Sequence, residues 1–132
     1  MLQAQLGYAA DRYGHGVAYA RLTTRAGDRL VRAAFRIARF PGLDGREVAY
    51  GALTAIAAML STRGIDRVRF ILPDESLIAD RRDHRPLPPP IELPYVRLGC
   101  ALNRFAAFDL QAGEDRDLSA RAVAEVELHS AA

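Results

Sequence analysis

Residues 30–72 read LVRAAFRIARFPGLDGREVAYGALTAIAAMLSTRGIDRVRFIL, and the hydrophobic period changes twice along them. From Leu30 to Arg39, Val31, Ala33, Phe35 and Ile37 face one way while Arg32 and Arg36 face the other. That period of two predicts a strand with one buried face. Asp44 followed three residues later by Glu47 has the form of a helix-opening capping box. Val48, Ala52, Ile56, Met59 and Leu60 then recur at helical spacing. Arg63 complements the helix dipole in the last turn, and Gly64 ends the helix. Val68 to Leu72 is short and nearly continuously apolar, which predicts a central strand covered on both faces.

Working outward, Leu2 to Tyr8 alternates weakly and Gly14-His15-Gly16 breaks the chain. Val17 to Thr24 alternates Val17, Tyr19 and Arg21 against Ala18, Ala20 and Leu22. Ala26-Gly27-Asp28 is a turn signal, so this run and the one from Leu30 form an antiparallel hairpin. On the other side, Leu77 to Arg81 predicts a brief helix after Pro73-Asp74-Glu75-Ser76. Residues 82–94 contain PLPPP, which predicts a loop in place of regular structure. Tyr95 to Phe105 carries Tyr95, Leu98, Leu102 and Phe105 at helical spacing. Val96, Leu98, Cys100 and Leu102 also alternate as a strand does, and Gly99 weakens a helix, so both readings stay open. Ala106 to Leu110 reads as a strand and Asp115 to Leu128 as a final helix.

A chain of 132 residues with 50% hydrophobic and 26% charged residues fits one globular α/β domain, residues 1–132. Cys100 is the single cysteine, so no disulfide forms within the chain and a reducing compartment is expected. Its apolar neighbours predict a buried small hydrophobe. No apolar run approaches the roughly 20 residues that span a bilayer. The opening MLQAQLGYAAD lacks the pattern of a signal peptide, so the expected location is the cytoplasm. The formal charge is +2 and all 18 basic residues are arginine. That usage reflects either a coding bias or the suitability of guanidinium groups for phosphate. The net charge alone does not identify a nucleic-acid partner.

The order of three strands, helix, strand, helix, strand, helix resembles ribonuclease H. The wording agrees with the order. Val48-Ala49-Tyr50-Gly51-Ala52-Leu53 stands where the family often has A-E-Y-x-A-L in its crossover helix. Gly64-Ile65-Asp66-Arg67-Val68-Arg69-Phe70 and Asp74-Glu75-Ser76 are similar to the family's fourth strand and its Asp-Ser end. Asp115 to Ala122 is similar to its Ala-rich last helix. The resemblance covers nearly the whole chain. It implies a mixed five-stranded sheet, an antiparallel meander followed by two parallel strands, with helices on both faces. It also implies nucleic-acid binding and, where catalysis is present, Mg²⁺ or Mn²⁺. Two-metal phosphodiester hydrolysis needs clustered carboxylates, because only hard anionic oxygens offset two close divalent cations.

In the family those carboxylates come from the first strand, the crossover helix, the fourth strand and the last helix. Leu2 to Tyr8 has no acidic residue, and Asp11 lies after it. Ala49 stands at the helix glutamate; Glu47 is two positions away, about 200° around a helix. Asp74 matches, and it or Ser76 is also a candidate helix cap. Asp117 matches in one register; in the ungapped one Ser119 takes the metal position and Asp117 is a helix-start charge. Catalytic and metal-binding candidates are therefore Asp74 and Asp117, with no certain cofactor. Arg81, Arg82 and Arg85, beside His84, form either a nucleic-acid contact or a solvated loop. His15, His84 and His129 lack metal-ligand spacing.

The leading expectation is a degenerate ribonuclease H-like domain that binds an RNA/DNA hybrid or RNA, with cleavage weak or lost. One alternative is an active Mg²⁺ or Mn²⁺ nuclease with a rearranged site of Asp74, Asp117 and either Asp11 or Glu47. Another is a structural homodimer joined through the run from Leu30 to Arg39, with no nucleic-acid role.

Overall fold

A computed structural model describes residues 1–131, with side chains to His129. The elements follow the order β1 (Leu2–Ala10), β2 (His15–Thr24), β3 (Gly27–Arg36), α1 (Arg46–Thr62), β4 (Arg67–Leu72), α2 (Glu75–Asp83), α3 (Pro89–Leu102), β5 (Ala107–Ala112) and α4 (Arg116–Ala131). The sheet order is β3-β2-β1-β4-β5. β1 pairs antiparallel with β2, and β2 with β3, while β4 lies parallel to both β1 and β5. This is the mixed five-stranded α/β architecture that the resemblance implies.

Strand alternation sorts the side chains between two layers. Ala4 and Leu6 of β1, Ala18, Ala20 and Leu22 of β2, Val31 and Ala33 of β3, and Val68, Phe70 and Leu72 of β4 share one buried cluster. Tyr50, Leu53, Ile56 and Leu60 of α1 and Leu98 and Leu102 of α3 complete it. Phe70 meets Phe105 edge-on, with ring centroids 5.8 Å apart, the geometry aromatic quadrupoles favour. On the opposite face Val17 and Tyr19 pack against Leu118 and Ala122 of α4. Gly7 makes that second layer fit. A Cβ there would stand 2.5 Å from the Leu118 carbonyl carbon and from the Ser119 nitrogen. Only a residue without a side chain lets α4 approach β1 so closely.

Four expectations need correction. α1 opens on Gly45, because Asp44 adopts φ 52° and makes no cap hydrogen bond. The PLPPP segment does not stay a loop: Pro89 and Pro90 start α3, where a missing N–H costs nothing. Residues 95–102 are helical, as the spacing of Tyr95, Leu98 and Leu102 reads, but Cys100 lies exposed on that helix and is not a buried small hydrophobe. β4 is buried at alternate residues only, since Arg67 is exposed and Arg69 and Ile71 are half-buried.

Candidate functional site

β1 and β4 run side by side in register, with Gln3 opposite Arg69 and Gln5 opposite Ile71. Continuing that register brings Tyr8 level with Asp74, the residue just beyond β4. The Tyr8 hydroxyl donates a hydrogen bond to Asp74 Oδ2. Asp74 occupies the N-cap position of α2, yet its carboxylate makes no cap hydrogen bond. Burial raises the Asp74 pKa, while the Tyr8 hydrogen bond and the nearby Arg46 guanidinium pull against that rise without cancelling it. Burial, together with the Asp74 charge, pushes the Tyr8 phenol well above its usual range.

A second carboxylate lies one helical stretch away. Asp80 of α2 is fully buried. Arg46 Nη1 donates to both its oxygens at 3.3 Å, and the Tyr50 hydroxyl donates at 2.9 Å. Arg85 Nε adds a contact at 3.4 Å. Burial, then the hydrogen bond to Asp80, hold the Tyr50 phenol protonated far above its usual range. Arg46 thus serves two acidic groups from the first turn of α1. Ala49, three residues along, is wholly buried and contributes no polar atom.

Divalent cations of the Mg²⁺ and Mn²⁺ type need several converging hard oxygens, and repel a guanidinium. The residues around Asp74 do not fit such an ion: its neighbours are a phenol and an arginine. Among the described residues, no three His, Cys, Asp or Glu side chains gather closely enough to hold a metal.

Asp117 is exposed at the start of α4 and lines a shallow pocket with Arg21, Asp28, Arg29, Leu30 and Arg121. That pocket adjoins the β2–β3 turn, at the end of the sheet where β1 begins. Leu118, the next residue of α4 and also in that pocket, packs its backbone against Gly7 of β1. Asp115 does the work of opening α4, accepting the Leu118 N–H and pairing with Arg21 at 3.1 Å. Asp11 is consumed by the β1–β2 turn: Oδ1 accepts the Tyr13 and His15 N–H groups, and Oδ2 faces His15 Nδ1. Glu47 accepts the Phe40 N–H at 2.7 Å and Arg39 Nε at 3.3 Å. It does not close a capping box.

The three arginines split likewise. Arg81 lies 4.8 Å over the Tyr95 ring, and Arg85 turns in to Asp80. Arg82 is exposed and lines a shallow pocket with Ile78, Phe108 and Asp109. Sequence reasoning missed Tyr8, Arg46, Tyr50 and Asp80. A signal existed for Asp80, which stands three residues from buried Leu77 on the inward face of α2.

No protein-family model matches the chain, and no curated protein matches it. Solved structures do. Ribonuclease H1 from the halophilic archaeon Halobacterium salinarum NRC-1 aligns with TM-score 0.71 at 17% identity, covering 93% of this chain and 92% of that one. LC11-RNase H1 in complex with an RNA/DNA hybrid aligns at 0.63 and 12%, covering 94% and 92%. The N-terminal ribonuclease H domain of rv2228c from Mycobacterium tuberculosis, a maltose-binding-protein fusion, aligns at 0.62 and 11%, covering 94% and 96%. The chain has a ribonuclease H-like fold.

Proposed function

We propose that this ribonuclease H-like domain binds nucleic acid of the RNA/DNA hybrid class and does not cleave it by two-metal hydrolysis. The observation that carries the reading is the Tyr8–Asp74 hydrogen bond beside Arg46. Where a nuclease of this type needs paired anionic ligands, this chain supplies one carboxylate, a protonated phenol and a built-in cation. Arg46 meets the charge of Asp80 and moderates that of Asp74, work that a metal ion does in a carboxylate cluster.

Support for the nucleic-acid half comes from the fold, and from the hybrid bound to LC11-RNase H1. Fold likeness is an analogy, so the site chemistry decides the catalytic half. Of the three candidate arginines, Arg82 is exposed and makes no ion pair among the described residues. It is the phosphate contact in this reading, whereas Arg81 and Arg85 hold α2 in place. Asp117 acts as a helix-start charge. Residence in the cytoplasm belongs to the same reading, because an exposed lone thiol such as Cys100 persists in a reducing compartment. No helix among the described residues is long and apolar enough to cross a membrane.

The test is binding of a labelled RNA/DNA hybrid across a salt series, with Arg82→Ala beside the parent. Affinity falls with salt, and the Arg82→Ala variant binds more weakly with a shallower salt slope, by about one unit for each phosphate contact removed. Binding that ignores salt overturns the nucleic-acid assignment.

A further inference from the structure

β3 ends the sheet on one side, and its outer edge pairs with no other strand. It pairs with β2 without a bulge from Gly27 to Arg36 and contains no proline. Just beyond it the Ile37 N–H bonds the Gly14 carbonyl, which continues that register by one pair. Antiparallel strands bond through alternate residue pairs, so the odd-numbered residues of β3 turn their N–H and C=O groups to β2. Leu30, Arg32, Ala34 and Arg36 turn theirs outward, and all four are exposed. Among the described residues, no other segment makes a backbone hydrogen bond to this edge.

Such an edge invites another strand, and proteins close it with charge, proline, a bulge or a covering element. Here charge alone does so. β3 carries Arg29, Arg32 and Arg36 against Asp28. Arg32 is paired with Glu125, whereas Arg36 bonds only the His15 imidazole, at 2.8 Å. A second copy would bring its own three arginines to the seam. The edge is thus closed to itself and open to an acidic strand. The two faces beside it differ in chemistry. Toward α1, Phe35, Ile37, Phe40, Pro90 and Leu93 line an apolar groove of about 520 Å³. Toward α4, Arg32, Arg36, His15 and His129 line a hollow of about 460 Å³ in which Glu125 is the one carboxylate. The side chains of an added strand alternate between these same two faces. We infer that β3 takes up an extended segment of a partner protein in which apolar and acidic side chains alternate. Its backbone bonds the outward groups of Leu30, Arg32, Ala34 and Arg36. Its apolar side chains enter the groove beside Phe35 and Ile37, and its carboxylates lie on the face of Arg32 and Arg36.

The test titrates the full, isotope-labelled chain with a capped peptide of about eight residues, alternating glutamate and valine, and follows amide exchange by NMR. At saturation the Leu30, Arg32, Ala34 and Arg36 amides exchange about tenfold more slowly or better, while Val31, Ala33 and Phe35, already bonded to β2, change little. A peptide with lysine for glutamate binds about tenfold more weakly or worse, as does one with the same residues in two blocks. N-methylating alternate peptide residues abolishes binding for one of the two sets only, because a strand pairs through one edge. Ala34→Pro removes an outward N–H, which an edge strand tolerates, and abolishes the protection. Arg36→Glu changes an exposed residue and lowers affinity about tenfold, so it decides the matter if Ala34→Pro does not fold.

No binding at millimolar peptide overturns the inference, as does equal binding of the lysine peptide or unchanged affinity in Arg36→Glu. Protection of the same four amides in the chain alone, rising with its concentration, overturns it in favour of a second copy. An RNA/DNA hybrid that protects these amides while the peptide does not overturns it in favour of nucleic acid. Asp74 and Arg82 take no part, so Arg82→Ala leaves peptide affinity unchanged whatever the hybrid experiment gives.

Discussion

Replacing Arg46 with methionine removes the principal cation from the fully buried carboxylate of Asp80. What remains is the Tyr50 hydroxyl at 2.9 Å and Arg85 Nε at 3.4 Å, the latter on a side chain 47% exposed and therefore screened by water. Breaking a buried ion pair from one side costs about 3–5 kcal/mol, because the surviving charge stays buried. Two features place this case at the low end. The Arg46 contacts are 3.3 Å long, and Arg46 Nε is itself buried without a partner, an unfavourable term that methionine removes. A loss of about 3 kcal/mol follows, which at about 2.1 cal/mol/K per residue lowers Tm by roughly 11 °C for a domain of this size. Urea and thermal denaturation read it directly. The double variant Arg46→Met/Asp80→Asn loses less than the sum of the two single losses, with a coupling above about 1 kcal/mol for residues in contact. Arg46→Met within about 0.5 kcal/mol of the parent, the range of ordinary surface changes, would refute the internal-cation account.

Asp74 gives a pH signature. Its folded pKa is raised, so its contribution is fully favourable below the unfolded carboxylate range and is lost as pH rises through the folded value. Asp74→Asn therefore raises Tm at pH 7.5, and the gain shrinks toward zero as both proteins are taken to pH 4; a gain independent of pH sinks the point. Gly7→Ala drives a methyl into the α4 backbone and costs about 1–3 kcal/mol by denaturant titration, whereas a neutral result denies the close approach. Glu125 is held down to about 2 chiefly by its hydrogen bond from Arg32. Arg32→Ala moves the Glu125 titration, followed by NMR, back toward the ordinary carboxylate range, and no movement contradicts the pairing.

Local periodicity made the sheet legible. Alternation along residues 17–37 and the helical spacing from Val48 to Leu60 report which face is buried, and burial is what the fold enforces. α3 was half hidden because proline reads as a breaker, yet it is tolerated in a first helical turn and Pro94 follows close behind. Glu47 shows a local motif overridden by tertiary demand: the residues spell a capping box, but the carboxylate is drawn to the Phe40 N–H and Arg39. The site was the least legible part. Tyr8 meets Asp74 across 66 positions, and Asp80 meets Arg46 and Tyr50 across 34 and 30. Composition and period carry no trace of such pairings. The missing acids of the first strand and of the helix at Ala49 could be read; what stands near Asp74 in their stead could not.

The most direct measurement incubates the purified protein with labelled RNA/DNA hybrid and Mn²⁺ or Mg²⁺, beside Asp74→Asn. The account predicts retarded but intact hybrid for both proteins, at every metal concentration. Metal-dependent cleavage by the parent that Asp74→Asn abolishes would contradict it.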